Sequence, residues 1–130
     1  MASPSLITIF NDHFVEFIDD VQQIFPLNVD ILAAKNSILT IRKLNPSIVI
    51  KIWKTYIADV YKTQIDNDDI SFFVNKDYSN DLIYSPNSEK IMTAINRLRD
   101  PISQMTPGDQ VKTMKYLKNL TKLSLLYSAQ

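Results

Sequence analysis

Residues 45–65 read NPSIVIKIWKTYIADVYKTQI, and this stretch decides the fold. Asn45 has the side chain of a helix cap, and Pro46 suits a first turn, where a missing N–H costs nothing. Val49, Trp53, Tyr56 and Val60 then recur at helical spacing. Ile50, Ile57 and Tyr61 broaden that stripe on one side, and Ile48 and Ile52 extend it on the other. Only Lys51, Lys54, Asp59 and Lys62 keep a polar wedge. A surface helix needs one apolar stripe, so a helix this apolar expects neighbours on two sides.

The segments on either side repeat the helical pattern. Leu6 to Phe25 places Ile7, Phe10, Phe14, Phe17, Val21 and Ile24 on one face and Asp12, Glu16 and Asp19 on the other. Pro26 ends that element. Asn28 is a cap for a second helix to Leu44, with Asp30 at the positive end of its dipole. Ile31, Ala34, Ile38 and Ile41 make its inner face. Leu32 and Leu39 form a second stripe, for which core is the first reading and an oligomer contact the second.

Beyond residue 65, the run DNDD breaks the periodicity. A short helix or turn follows from Ile70 to about Asn75, docked by Phe72 and Phe73, with Tyr78 close behind. Ser79 to Asn87 reads as a loop, because Pro86 resists helix. Ser88 is the expected cap of a helix with Ile91, Ile95 and Leu98 inward, and Asp100-Pro101 is expected to kink or end it. Thr106-Pro107-Gly108-Asp109 has the form of a capping box before a last helix to about Tyr127. Tyr116, Leu117, Leu120, Leu123 and Tyr127 share one of its faces, and Lys112, Lys115, Lys118 and Lys122 share another. The pattern predicts an all-α fold: one compact domain over residues 1–130, a bundle of five or six helices.

Composition agrees with a packed core: 45 % of the 130 residues are hydrophobic and 22 % charged. With no cysteine, neither disulfides nor thiolate chemistry is available. No apolar run approaches the ~20 residues of a membrane span. No basic segment precedes the apolar residues of MASPSLITIF, so a secretory signal is not expected. Formal net charge is zero, but it is segregated. Residues 1–34 carry acids and no Lys or Arg, whereas residues 110–130 carry four lysines and no acid. Such blocks pair within one chain, pair between copies, or face a charged partner.

Chemical equipment is sparse. His13 is the sole histidine; Glu16 follows at a helical spacing that allows a hydrogen bond to it, but no nucleophile is evident. An EF-hand loop counted from Asp66 needs glycine sixth and glutamate twelfth, and finds Ser71 and Asp77. With Gly108 the one glycine, no phosphate-cradling loop can be built. Adjacent Asp19 and Asp20 diverge on a helix and make no acid–base pair. No enzyme activity, cofactor or metal is expected. The lysines at 112, 115, 118 and 122 remain as a polyanion contact, without the arginine or aromatic partners of base readout.

Four stretches carry a resemblance: FNDHFVEFIDDVQQIFP (10–26), NPSIVIKIWKTYI (45–57), DISFFVNKDYSNDL (69–82) and MKYLKNLTKLSLLY (114–127). In this order they resemble small helical proteins of unknown function from nucleocytoplasmic large DNA viruses of the marseillevirus and mimivirus groups. The resemblance implies a viral protein, packaged in the virion or made for infection in the host cytoplasm or nucleus, and brings no catalytic residues. The residues and the resemblance together favour protein–protein association, with a homodimer through Leu32, Leu39, Ile48 and Ile52 and with other viral or host proteins as further partners. A nucleic-acid-binding accessory role for the lysine face is the alternative.

Overall fold

The computed structural model describes residues 5–74 and 86–129, and every element among them is helical. Helix α1 is Leu6–Ile24, opened by Ser5, whose Oγ accepts from the Thr8 N–H at 3.1 Å. Helix α2 is Val29–Leu44, capped as expected by Asn28, which accepts from the N–H groups of Asp30 and Ile31. Helix α3 (Ile48–Trp53), a π-helical turn (Lys54–Ala58) and α4 (Asp59–Asp66) run end to end. The short α5 is Ser71–Val74, α6 is Pro86–Ser103, and α7 is Pro107–Ser128. Thr106 caps α7 by accepting from the Asp109 N–H at 3.2 Å. Counting the α3–α4 rod once, the described residues form six helices, within the five or six that the pattern predicts.

The α3 segment is the hub, packed against α1, α2, α6 and α7. Val49, Ile50 and Trp53 are fully buried there. Phe10, Phe14, Phe17 and Ile18 reach the same core from α1, Ile91 and Leu98 from α6, and Leu117 and Leu120 from α7. Phe72 and Phe73 dock α5 against the core. Burying each such side chain stabilises by roughly 1.5–3 kcal/mol, which is why the apolar pattern dominates the fold.

The π turn changes which residues face inward. A straight helix carries the stripe of Val49 and Trp53 on to Tyr56 and Val60. In the structure the inward set after Trp53 is Ile57, Ala58, Tyr61 and Ile65, while Val60 is 56 % exposed. One extra residue in the wider turn shifts the phase by one position, and Tyr61 absorbs the remaining distortion at φ −117°, ψ 24°.

Several boundaries differ from the sequence expectation. Asn45 closes α2 rather than opening α3: its N–H donates to the Ile41 carbonyl, and the chain turns through Pro46 and Ser47 first. Asn11 on α1 holds that turn, its Nδ2 donating to the Pro46 carbonyl at 2.9 Å. Pro86 starts α6 instead of resisting it, since proline suits a first helical position; Ser88 therefore lies inside the helix and is buried. Pro101 does not end α6, which runs on to Ser103. Proline's φ is helical, and the last turn closes through Gln104 and Met105 N–H groups donating three residues back. Ile24 is exposed, at the α1 end beyond the core. Tyr78 and most of the expected Ser79–Asn87 loop lie outside the described residues.

Candidate interaction surfaces

Charge segregation is resolved largely within the chain. Asp12 on α1 meets Arg42 on α2 at 2.8 Å. Lys35 Nζ approaches Asp19 Oδ1 at 2.7 Å, a charge contact off the hydrogen-bonding direction. Asp20 accepts from the Tyr116 hydroxyl of α7 at 2.6 Å. The acidic helix is thus engaged by its own neighbours and is not left for the basic surface of another copy. Partly exposed pairs of this kind contribute roughly 0–1 kcal/mol each and chiefly set register.

On α2, Ile31, Ala34 and Ile38 are fully buried, and the opposite side carries Val29, Leu32, Asn36, Leu39 and Lys43, all exposed. Leu32 and Leu39 are 47 % and 38 % exposed, so the core reading of that stripe is corrected. The two stripes diverge by about a third of a turn at 3.6 residues per turn, and one helix presents only one of them to the bundle. Val29 is 75 % exposed. The spacing of these five positions, alternately three and four, is that of the a and d positions of a coiled-coil seam. The other two oligomer candidates do not join them: Ile52 is 8 % exposed and belongs to the core, and Ile48 is partly buried against it. The four helices around α3 cover both.

The lysine face of α7 is divided. Lys115, Lys118 and Lys122 line a cleft of about 440 Å³ between α4 and α7, with Lys62 and Asp66 also on its walls. Ile65, Thr121 and Leu125 line it as well. Lys62 pairs with Asp66 at 2.8 Å and Lys118 with Asp68 at 2.9 Å. Lys115 and Lys122 have no carboxylate partner among the described residues. Lys112 lies apart, lining a cleft of about 330 Å³ between α1 and α7 with Asp20, Asp109 and Tyr116. Lys62 is the residue that sequence spacing missed: it belongs to another helix, and only tertiary packing brings it to this row. The acidic loop has local duties, since Asp69 accepts from Ser71 while Asp66 and Asp68 pair with lysines.

His13 sits at the α1–α7 seam, its ring 5.0 Å from that of Tyr116 and its Nδ1 3.7 Å from Glu16. Its Nε2 is buried without a hydrogen-bond partner among the described residues. Among the described residues, Tyr116 is the one titratable group with a strong electrostatic signature. Burial, the hydrogen bond to Asp20 and the carboxylates of Asp20 and Glu16 push its phenol well above the ordinary tyrosine value. The phenol therefore ionises more readily in the unfolded chain, and its contribution to stability falls as pH rises above about 10, the unperturbed tyrosine pKa. Urea midpoints measured from neutral pH upward are expected to decline there for the wild type. The decline is expected to be shallower in Tyr116→Phe; identical slopes would show that Tyr116 is not responsible.

Among the described residues, no three His, Asp or Glu side chains are grouped to hold a metal ion. No described helix is long and apolar enough to cross a membrane. Comparison with protein-family models, curated proteins and solved structures finds no match, so the chain's own surfaces carry the functional argument.

Proposed function

We propose that the chain acts by associating with other proteins rather than by catalysis, and that its first partner is a second copy of itself. The observation that carries this reading is the exposed seam of Val29, Leu32, Asn36, Leu39 and Lys43 on the outer side of α2. Exposed apolar rows rimmed by polar residues mark association surfaces. The layout of the seam selects the occupant. The seam begins with Val29 and ends with Lys43. An antiparallel pairing about a two-fold axis sets Val29 beside the partner's Lys43 and Leu32 against the partner's Leu39. Asn36 then meets its own counterpart at the axis, where a polar residue in the seam holds the register. A parallel pairing would instead place Lys43 against the partner's Lys43 inside the seam. Lys35 and Arg42 are held to α1 by Asp19 and Asp12 and leave the seam clear.

Sedimentation equilibrium at micromolar concentration is expected to give twice the 15.0 kDa chain mass. Leu32→Glu with Leu39→Glu is expected to return 15.0 kDa with little change in helicity, because both side chains are exposed. A clean 15.0 kDa wild type would end the proposal.

The resemblance to giant-virus proteins supports a wider setting, in which the assembled protein is packaged in the virion after synthesis in the host cell. Mass spectrometry of purified particles of the encoding virus is expected to detect the chain; its absence from them would remove the packaging claim.

A further inference from the structure

We infer that the cleft between α4 and α7 binds the phosphate backbone of duplex nucleic acid without reading its sequence. Lysines converge on it from two helices, Lys62 on one wall and Lys115, Lys118 and Lys122 on the other. The chain as a whole has zero formal net charge, so attraction of a polyanion depends on this local concentration of positive charge. Lys115, Lys118 and Lys122 span seven residues, about 10 Å along the helix axis at its usual rise. One strand of a duplex advances about 3.4 Å per phosphate, so that row matches about three phosphates.

The lining chemistry narrows the ligand further. No arginine and no aromatic ring lines the cleft. Single strands are bound on aromatic stacking platforms, and base edges are read by forked donors such as guanidinium. A duplex turns its phosphates outward and needs neither, so lysines alone suffice to position it. Asp66 and Asp68 pair with Lys62 and Lys118 at 2.8 and 2.9 Å, and a phosphate displaces them. Lys115 and Lys122, unpaired among the described residues, make the first contacts.

Fluorescence anisotropy with a short, labelled, mixed-sequence duplex tests this on the full chain. Raising salt from about 50 to about 200 mM is expected to weaken binding about 40-fold for three phosphate contacts. Lys115→Ala with Lys122→Ala is expected to lower the slope of log affinity against log salt by about two. Lys112→Ala, on the same helix but outside the cleft, is expected to leave that slope unchanged. Circular dichroism melts of each variant, all at exposed positions, check that the fold is intact. Absence of saturable binding at about 50 mM salt, or a Lys112→Ala effect equal to that of the cleft substitutions, would overturn the inference.

Discussion

Trp53→Ala is expected to lower the free energy of unfolding by ~3–5 kcal/mol, a large fraction of the ~5–15 kcal/mol that holds an ordinary domain. Trp53 is fully buried where α1, α3 and α7 meet. Its ring stands edge-on to Phe14, with centroids 5.6 Å apart and planes at 90°, and lies 6.2 Å from Phe10. Its Nε1 donates to the Thr121 hydroxyl at 3.0 Å, tying α3 to α7 inside the core. Alanine removes the ring contacts and leaves a cavity that three helices cannot jointly collapse. Trp53→Phe separates the two contributions: it keeps much of the apolar volume and deletes the donor, for an expected loss of about 1–3 kcal/mol. Urea midpoints should therefore fall in the order wild type, Phe, Ala. An Ala variant with an unchanged midpoint would contradict the central place given to this residue.

Deleting Lys51 is expected to unfold the protein or cost roughly 3–6 kcal/mol, whereas deleting Thr55 is expected to cost only about 1 kcal/mol. Both residues are exposed, so neither loss is one of direct contact. The difference is one of phase. Lys51 lies in regular helix between Ile50 and Trp53, and its removal rotates one inward set about 100° away from the other at 3.6 residues per turn. Either Val49 and Ile50 or Trp53 and everything after it then leaves the core. Thr55 lies inside the π turn, which already holds one residue more than an α-helical turn. Without it, Trp53, Ile57, Tyr61 and Ile65 stand at spacings of three, four and four, which a plain α-helix presents on one face. Tyr61 is also released from its non-helical backbone angles. Thermal melts and helicity of the two deletion variants check this. Equal destabilisation would show that the π turn is more than an accommodated extra residue.

The helices themselves were legible in the sequence because their causes are local. Apolar recurrence at helical spacing, the caps Asn28 and Thr106, and Pro107 in a first turn act within a few residues of the chain. The buried place of Trp53 was legible for the same reason, since no single-sided packing can cover a helix apolar over so wide an arc. The seam on α2 was half legible: Leu32 and Leu39 stood out as a second stripe, but whether a neighbour covers it depends on where the other helices lie. Ile48 and Ile52 had the same pattern and the opposite outcome, because α3 is surrounded while α2 has an open side.

The residue-by-residue phase after Trp53 was set by tertiary structure. A straight-helix stripe through Val60 and a shifted stripe through Tyr61 are both apolar, and the local pattern does not choose between them. The core chooses, by admitting Ile57, Tyr61 and Ile65 together through a π turn. The pairing of the acidic first helix with Arg42, Lys35 and Tyr116, and the meeting of Lys62 with the α7 lysines, were likewise decided only by packing. Sequence alone determined which segments are helical and which faces are apolar, because spacing and caps act along the chain. Which faces meet, which remain open and which charges are neutralised were decided by the tertiary structure, because those depend on distances between residues far apart in sequence.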